Sequence, residues 1–143
     1  MLEQSGDLWT ARQPGDWVVI TVNATLRKDG WLVMGRGLAL EASKRYPSLQ
    51  YELGGLIKQH GSRLEVLEYD KLISFPVKNH FKDKADINII LKSTLQLLDA
   101  AQRIEGRVLM PRVGSGYGRL DWLEVRPMLM HYLVDDRFIV FNK

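Results

Sequence analysis

The run Trp17-Val18-Val19-Ile20-Thr21-Val22 constrains the fold more than any other segment. It is almost continuously apolar and rich in β-branched residues. A strand with one wet face alternates apolar and polar residues, whereas an unbroken apolar run suits a strand covered on both faces. Arg107-Val108-Leu109-Met110 and Phe138-Ile139-Val140-Phe141 have the same character. Between them lie amphipathic stretches at helical spacing, so strand and helix alternate in the βαβ manner. The expected class is α/β, with a mixed sheet and helices on both of its faces.

Local signals place the other elements. A polar loop, Arg27-Lys28-Asp29-Gly30, precedes Met34-Gly35-Arg36-Gly37, and a helix follows from Leu38 to about Arg45, ended by Pro47. A second helix is expected over 48–59, stopped by Gly61. Segments 64–69 and 71–75 read as strands around a tight turn at Asp70, the second closed by Pro76. The clearest helix covers 84–103, where Ile87, Ile90, Leu91, Leu95, Leu98 and Ala101 recur at helical spacing. Asp83 is placed to cap it and Gly106 to end it. Asp121 and Glu124 form an Asp-x-x-Glu capping box for a helix through about Leu133. A strand before Gly6 is only faintly signalled.

The 143 residues, 45% of them apolar, suit one domain with a real core, expected over 1–143. The chain has no cysteine, which excludes disulfides, thiolate zinc sites and cysteine nucleophiles. His60, His80 and His131 are scattered without metal-ligand spacing, so neither a metal nor a cofactor is expected. Twenty basic residues against 17 acidic give a net charge of +3, too mild to indicate nucleic-acid binding alone but compatible with an anionic ligand of phosphate size. The first residues lack a basic-then-apolar signal pattern, and no apolar run is long enough to cross a bilayer. A soluble cytoplasmic protein without membrane contact is the expectation; no oligomeric state is implied.

Chemistry is expected at two glycine-rich segments, each directly after a strand. Ligands of open α/β sheets sit beyond the carboxyl ends of the strands. Met34-Gly35-Arg36-Gly37 enters a helix, whose first amides would face an anion. Gly114-Ser115-Gly116-Tyr117-Gly118 can turn successive amides inward as an anion nest. Two such loops suit a ligand with more than one phosphate. The competing reading of each is a tight strand-to-helix connection. Neither carries the Gly-Lys-Ser/Thr of nucleotide hydrolases or the Rossmann spacing.

Gly6-Asp7-Leu8, Val22-Asn23-Ala24, Met34-Gly35-Arg36-Gly37-Leu38-Ala39-Leu40, Phe75-Pro76-Val77-Lys78 and Pro111-Arg112-Val113-Gly114-Ser115-Gly116 occur in this order along essentially the whole chain. In that order the sequence resembles the macrodomain family. Lys78 within Phe-Pro-x-Lys resembles the branch that holds the terminal ADP-ribose glycohydrolase and the DarG DNA ADP-ribosyl glycohydrolase antitoxin. The resemblance implies a three-layer α/β/α macrodomain with a central mixed β-sheet that binds ADP-ribose or an ADP-ribosylated macromolecule, with nucleic acid as one carrier of the adduct. The implied activity is hydrolysis that removes ADP-ribose from a DNA base or protein carboxylate using Lys78; the alternative is a reader that binds without turnover.

The implied ligand-binding residues are Asp7, Leu8, Asn23, Ala24, Met34, Gly35, Arg36, Gly37, Leu38, Arg112, Val113, Gly114, Ser115, Gly116, Tyr117, Gly118 and Phe141. Asp7 would accept the adenine amino group and Leu8 would offer its amide to the same ring. Asn23 would bind distal-ribose hydroxyls, the two glycine loops would enclose the diphosphate, and Phe141 would pack on adenine. Each role has a plain competitor: Asp7 as a cap, Asn23 bonding its own loop, Phe141 in the core, Lys78 as a solvated charge beside Lys82 and Lys84. Asp121 reads as a helix cap before it reads as an acid. Gly118 stands where the terminal glycohydrolase has an acidic residue, a departure that counts against a paired Lys/Asp mechanism. The polar stretch from Arg27 to Trp31 is longer than the family pattern and is placed to act as a flap or to touch the carrier.

Overall fold

The computed structural model describes residues 1–142. Among them, strands β1 (Leu2–Ser5), β2 (Trp17–Val22), β3 (Glu65–Leu67), β4 (Leu72–Pro76), β5 (Val108–Pro111) and β6 (Phe138–Asn142) form one sheet in the order β1-β6-β5-β2-β4-β3. Neighbours pair in parallel except for the β3–β4 hairpin. The helices are α1 (Leu8–Ala11), α2 (Gly37–Arg45), α3 (Leu49–His60), α4 (Ile87–Ala101) and α5 (Trp122–Tyr132). None is long and apolar enough to cross a membrane.

The unbroken apolar strands are unbroken because both faces are covered. Val18, Ile20, Leu109 and Ile139 pack with Trp9, Ala42 and Leu53 on the α1–α3 side. Val19, Met110 and Val140 pack with Ile90, Leu97, Val125 and Leu129 on the α4–α5 side. Successive strand residues point to opposite faces, so each strand feeds two cores at once. The result is the expected α/β/α layering around a mixed sheet.

Local reading misplaced one helix start. Helix α4 begins at Ile87, and Asp86 rather than Asp83 caps it, its carboxylate accepting the Asn88 amide at 2.8 Å. Asp83 instead accepts the His80 amide at 3.2 Å. Two tertiary bonds hold the intervening backbone out of the helix: the Ala85 amide donates to the Gly118 carbonyl, and the Asp86 amide to the Val77 carbonyl, both at 2.9 Å. The Asp121 cap forms through the Leu123 amide at 3.0 Å. The faint early strand exists as β1, paired with β6.

One ion pair pins the centre of the sheet. Asp16, 5% exposed, precedes β2, and Arg107 precedes β5. The guanidinium grips both carboxylate oxygens, at 3.0 and 2.6 Å, and the Gln13 amide adds a bond of 2.9 Å. Burial alone would raise the Asp16 pKa; the bonds from Arg107 and Gln13 and the fields of Arg107 and Arg12 overcome it and hold the pKa below the ordinary value. Its stabilising contribution is therefore complete above the unfolded-state pKa of ~3.9 and is lost as pH falls through the depressed folded value. Arg107→Met should cost about 1.5–3 kcal/mol at neutral pH, the range for hydrogen bonds to a charged group. Urea melts of parent and variant from neutral pH downward check this: the difference should shrink on acidification.

Candidate functional site

Strands β2 and β5 pair at Trp17↔Val108 and Val18↔Leu109, and part beyond that point. Pinned at their amino ends by Asp16 and Arg107, they open at their carboxyl ends. The chain leaves β2 for helix α2 on one face and leaves β5 for helix α5 on the other, so the opening is a topological switch point. A cleft of about 720 Å³ lies there.

Its floor is the end of β2, Thr21 to Asn23. Asn23 is nearly buried and uses both ends of its amide: Nδ2 donates to the Val33 carbonyl at 3.0 Å, and Oδ1 accepts the Thr25 amide at 2.8 Å. These bonds tie the first glycine loop to the strand end. One wall is that loop, Gly35 to Ala39. Arg36 is extended and gives no side-chain cap, so the amides of Gly37, Leu38 and Ala39 open α2 without intrahelical acceptors. The aligned peptide dipoles of the helix add a positive potential at this end.

The facing wall is the second glycine loop, Arg112 with Gly114 to Arg119. It closes as a 3₁₀ turn, Gly116–Gly118, with the Gly118 amide bonded to the Ser115 carbonyl at 3.2 Å. Gly116 has φ of 64° and open space where a Cβ would stand. Ser115 Oγ and Arg112 Nε are buried in this wall without a hydrogen-bond partner. The Arg112 guanidinium lies 5.5 Å from the Trp122 ring centre. The walls meet across the mouth, where the Arg36 guanidinium lies 5.6 Å from the Tyr117 ring centre.

Lys78 follows β4 and reaches the cleft from the next strand over. Its ammonium donates to the Asp83 carbonyl at 3.2 Å. Burial lowers its pKa most; Arg119 and Arg36 lower it further, against the opposing pull of Asp83. The sequence suggested Lys82 and Lys84 as the neighbouring cations. The ones that act are Arg119 and Arg36, brought in by the two glycine loops, while the Lys82 ammonium rests over the Phe81 ring at 5.6 Å.

The structure thus brings Asn23, Gly35, Arg36, Gly37, Leu38, Lys78, Arg112, Gly114, Ser115, Gly116, Tyr117 and Gly118 around one cleft. Six other expected residues do not line it. Met34 and Val113 point into the two cores. Ala24 donates its amide to the Asn79 carbonyl at 2.7 Å. Leu8 and Phe141 are buried together in the α1–α3 core. Asp7 caps α1, accepting the Thr10 amide at 3.2 Å and its hydroxyl at 2.9 Å. Asp7 and Phe141 nevertheless stand at the carboxyl ends of the parallel strands β1 and β6, the same edge as the cleft. Sequence reading missed Phe81 and Arg119 as lining residues. The available signal was their position, each just past a predicted motif. The Arg27-to-Trp31 stretch is a compact turn, closed by the Leu26↔Leu32 bridge and an Arg27–Asp29 ion pair of 2.7 Å.

The architecture has close counterparts among solved structures. The macrodomain of Mycobacterium tuberculosis DarG matches with a TM-score of 0.80 over 99% of this chain and 98% of its own, at 24% sequence identity. This chain has the macrodomain fold. The macrodomain of Thermus aquaticus DarG matches at 0.75, with 22% identity, over 98% of this chain and 95% of its own. Thermosipho africanus DarTG in complex with ADP-ribose matches at 0.76, with 22% identity, over 96% of this chain and 40% of its own. In sequence, this chain is 28% identical over 138 residues to the DNA ADP-ribosyl glycohydrolases of Mycobacterium tuberculosis (strain ATCC 25618 / H37Rv) and Mycobacterium bovis (strain BCG / Pasteur 1173P2), covering 88% of this chain and 36% of each relative. The chain therefore spans about a third of the length of those relatives. No family model matches it.

Proposed function

We propose that this macrodomain binds ADP-ribose and releases it from ADP-ribosylated DNA, with Lys78 acting at the distal ribose. The observation that carries the reading is the half-buried Lys78 amine beside a cleft walled by two glycine loops. The diphosphate would lie between the amides that open α2 and the 3₁₀ turn, along the wall that Arg112 and Ser115 line. The adenosine end would extend along the strand ends towards Asp7, Leu8 and Phe141. From β5 to β1 is two strand spacings, about 10 Å, within the reach of an extended dinucleotide-like ligand. The distal ribose then falls between Asn23 and Lys78.

A neutral Lys78 amine carries a lone pair that can attack the anomeric carbon while the severed bond's electrons leave on the nucleobase, which takes up the proton that the alkylated amine sheds. Water then releases the sugar and restores the amine. The depressed pKa favours this form, which an ordinary lysine at ~10.4 scarcely populates at neutral pH. A nucleic-acid carrier is favoured by the rim. Phe81, 40% exposed, stacks on His80 at 4.7 Å, and Tyr117 is 62% exposed beside Arg36. Exposed rings flanked by cations are platforms for bases of a single strand.

The test is ADP-ribose release from an ADP-ribosylated single-stranded oligonucleotide and from an ADP-ribosylated protein, alongside calorimetry with ADP-ribose. Release from the oligonucleotide is expected. Release from protein alone removes the DNA assignment, and tight binding without release from either makes the protein a reader. Absence of binding at millimolar ADP-ribose overturns the site itself.

Asp7 has two separable roles in this proposal. Asp7→Ala should weaken ADP-ribose binding by about 1.5–3 kcal/mol through a lost bond to a charged acceptor. It should also cost about 1 kcal/mol of stability through the lost α1 cap. Asp7→Ser keeps a capping oxygen, so it should restore the melting temperature without restoring affinity. Equal affinity in parent and Asp7→Ala would leave Asp7 as a cap alone.

A further inference from the structure

Arg119 is held in an unusual conformation for a purpose that a turn does not explain. Its φ is 65°, in the left-handed region that favours glycine. Its amide closes the 3₁₀ turn on the Gly116 carbonyl at 2.9 Å, a bond that glycine would make equally well with less strain. Arginine brings a guanidinium, which crosses to the facing loop and donates to the Lys82 carbonyl at 3.1 Å. The very next carbonyl, that of Asp83, accepts the Lys78 ammonium at 3.2 Å. Two cations, one just after β4 and one just after the 3₁₀ turn, are moored to consecutive carbonyls of one loop.

We propose that Arg119 is a positioning residue for Lys78: it clamps the 79–84 loop to the second glycine loop and fixes a positive charge beside the amine. The inference rests on Lys78 being the acting group. Strained backbone retained at a cleft is a sign of such a role. The charged groups that bear on Lys78 come from three segments: Arg119 after the 3₁₀ turn, Arg36 at the start of α2, and Asp83 in its own loop. Burial is the larger influence on Lys78, and Arg119 is the foremost of the charged ones. The fixed guanidinium disfavours a second positive charge next to it, which raises the share of neutral amine near neutral pH.

The experiment titrates the Lys78 amine directly, by pH-dependent amine labelling read by mass spectrometry, in the parent, Arg119→Gly and Arg119→Lys. The pH profile of ADP-ribose release from the oligonucleotide is measured on the same proteins. Arg119→Gly relieves the left-handed strain, so it should fold with a melting temperature at or above the parent's. Its Lys78 should titrate at higher pH, and its release profile should move in the same direction, so that activity lost at neutral pH returns at alkaline pH. Arg119→Lys, which keeps the charge, should restore much of the parent profile. Unchanged Lys78 titration in Arg119→Gly overturns the inference. A raised titration together with a parent that releases no ADP-ribose upholds the role of Arg119 and overturns the hydrolase reading instead.

Discussion

Lys78→Ala is expected to slow ADP-ribose release by at least ~10²-fold, the low end for loss of one acid–base or electrostatic group. Affinity for free ADP-ribose should stay within a few-fold of the parent's, because the proposed diphosphate contacts lie in the glycine loops and the adenine contacts near Asp7. A split of that kind, with turnover lost and binding kept, is what removal of an interaction specific to the transition state produces. Lys78→Arg separates the two chemical roles. A guanidinium stays protonated, so it cannot serve as a nucleophile, but it can stabilise negative charge on a leaving group. A dead Lys78→Arg therefore supports the amine lone pair, and a partly active one supports a fixed charge. For a nucleophile whose pKa is depressed, activity should rise with pH through that lowered pKa and then level off. Single-turnover release measured across pH checks the direction. Equal rates in parent and Lys78→Ala would remove Lys78 from the mechanism.

Gly116→Val is expected to abolish measurable ADP-ribose binding. Gly116 has φ of 64°, and a β-branched residue there is strained by roughly 1–2 kcal/mol. Gly116 lines the cleft, and a Cβ added to it meets no protein atom within 4 Å. It would stand where the backbone must approach the diphosphate. The fold should persist, since neither core includes this loop tip, and circular dichroism should stay near the parent's. Gly114→Val is different: a side chain there strikes Ile90 of α4 at 2.6 Å, so its loss of binding would come with loss of stability. Comparing the two by calorimetry and thermal melting distinguishes a blocked loop from a broken core. Retained affinity in Gly116→Val would place the ligand away from this wall.

Part of the candidate site was legible because its signals are local. A glycine-rich loop after an apolar strand needs only the chain itself to be recognised, and both loops line the cleft. Lys78 was visible through its motif, Phe75-Pro76-Val77-Lys78. The pairing of Arg119 with the Lys82 carbonyl, 37 residues apart, had no local signal. Nor did the Asp16–Arg107 pair, 91 residues apart, that anchors the sheet below the cleft. The misplaced cap shows the same limit: Asp83 and Asp86 are equally good caps in isolation, and the bonds from Ala85 and Asp86 to Gly118 and Val77 decide between them.

By itself the sequence determined the α/β class, because apolar runs without alternation demand cover on both faces, and the chain alternates them with amphipathic helices. It also determined that two glycine-rich loops follow two of those strands. Only the tertiary structure decided that these strands lie side by side, with β5 returning next to β2, and that they part at their carboxyl ends to make a cleft. It alone decided that Arg119 and Arg36, from the two glycine loops, are the cations that lower the Lys78 pKa. Strand order and the field at a side chain are set by packing between distant segments, and spacing along one chain does not encode them.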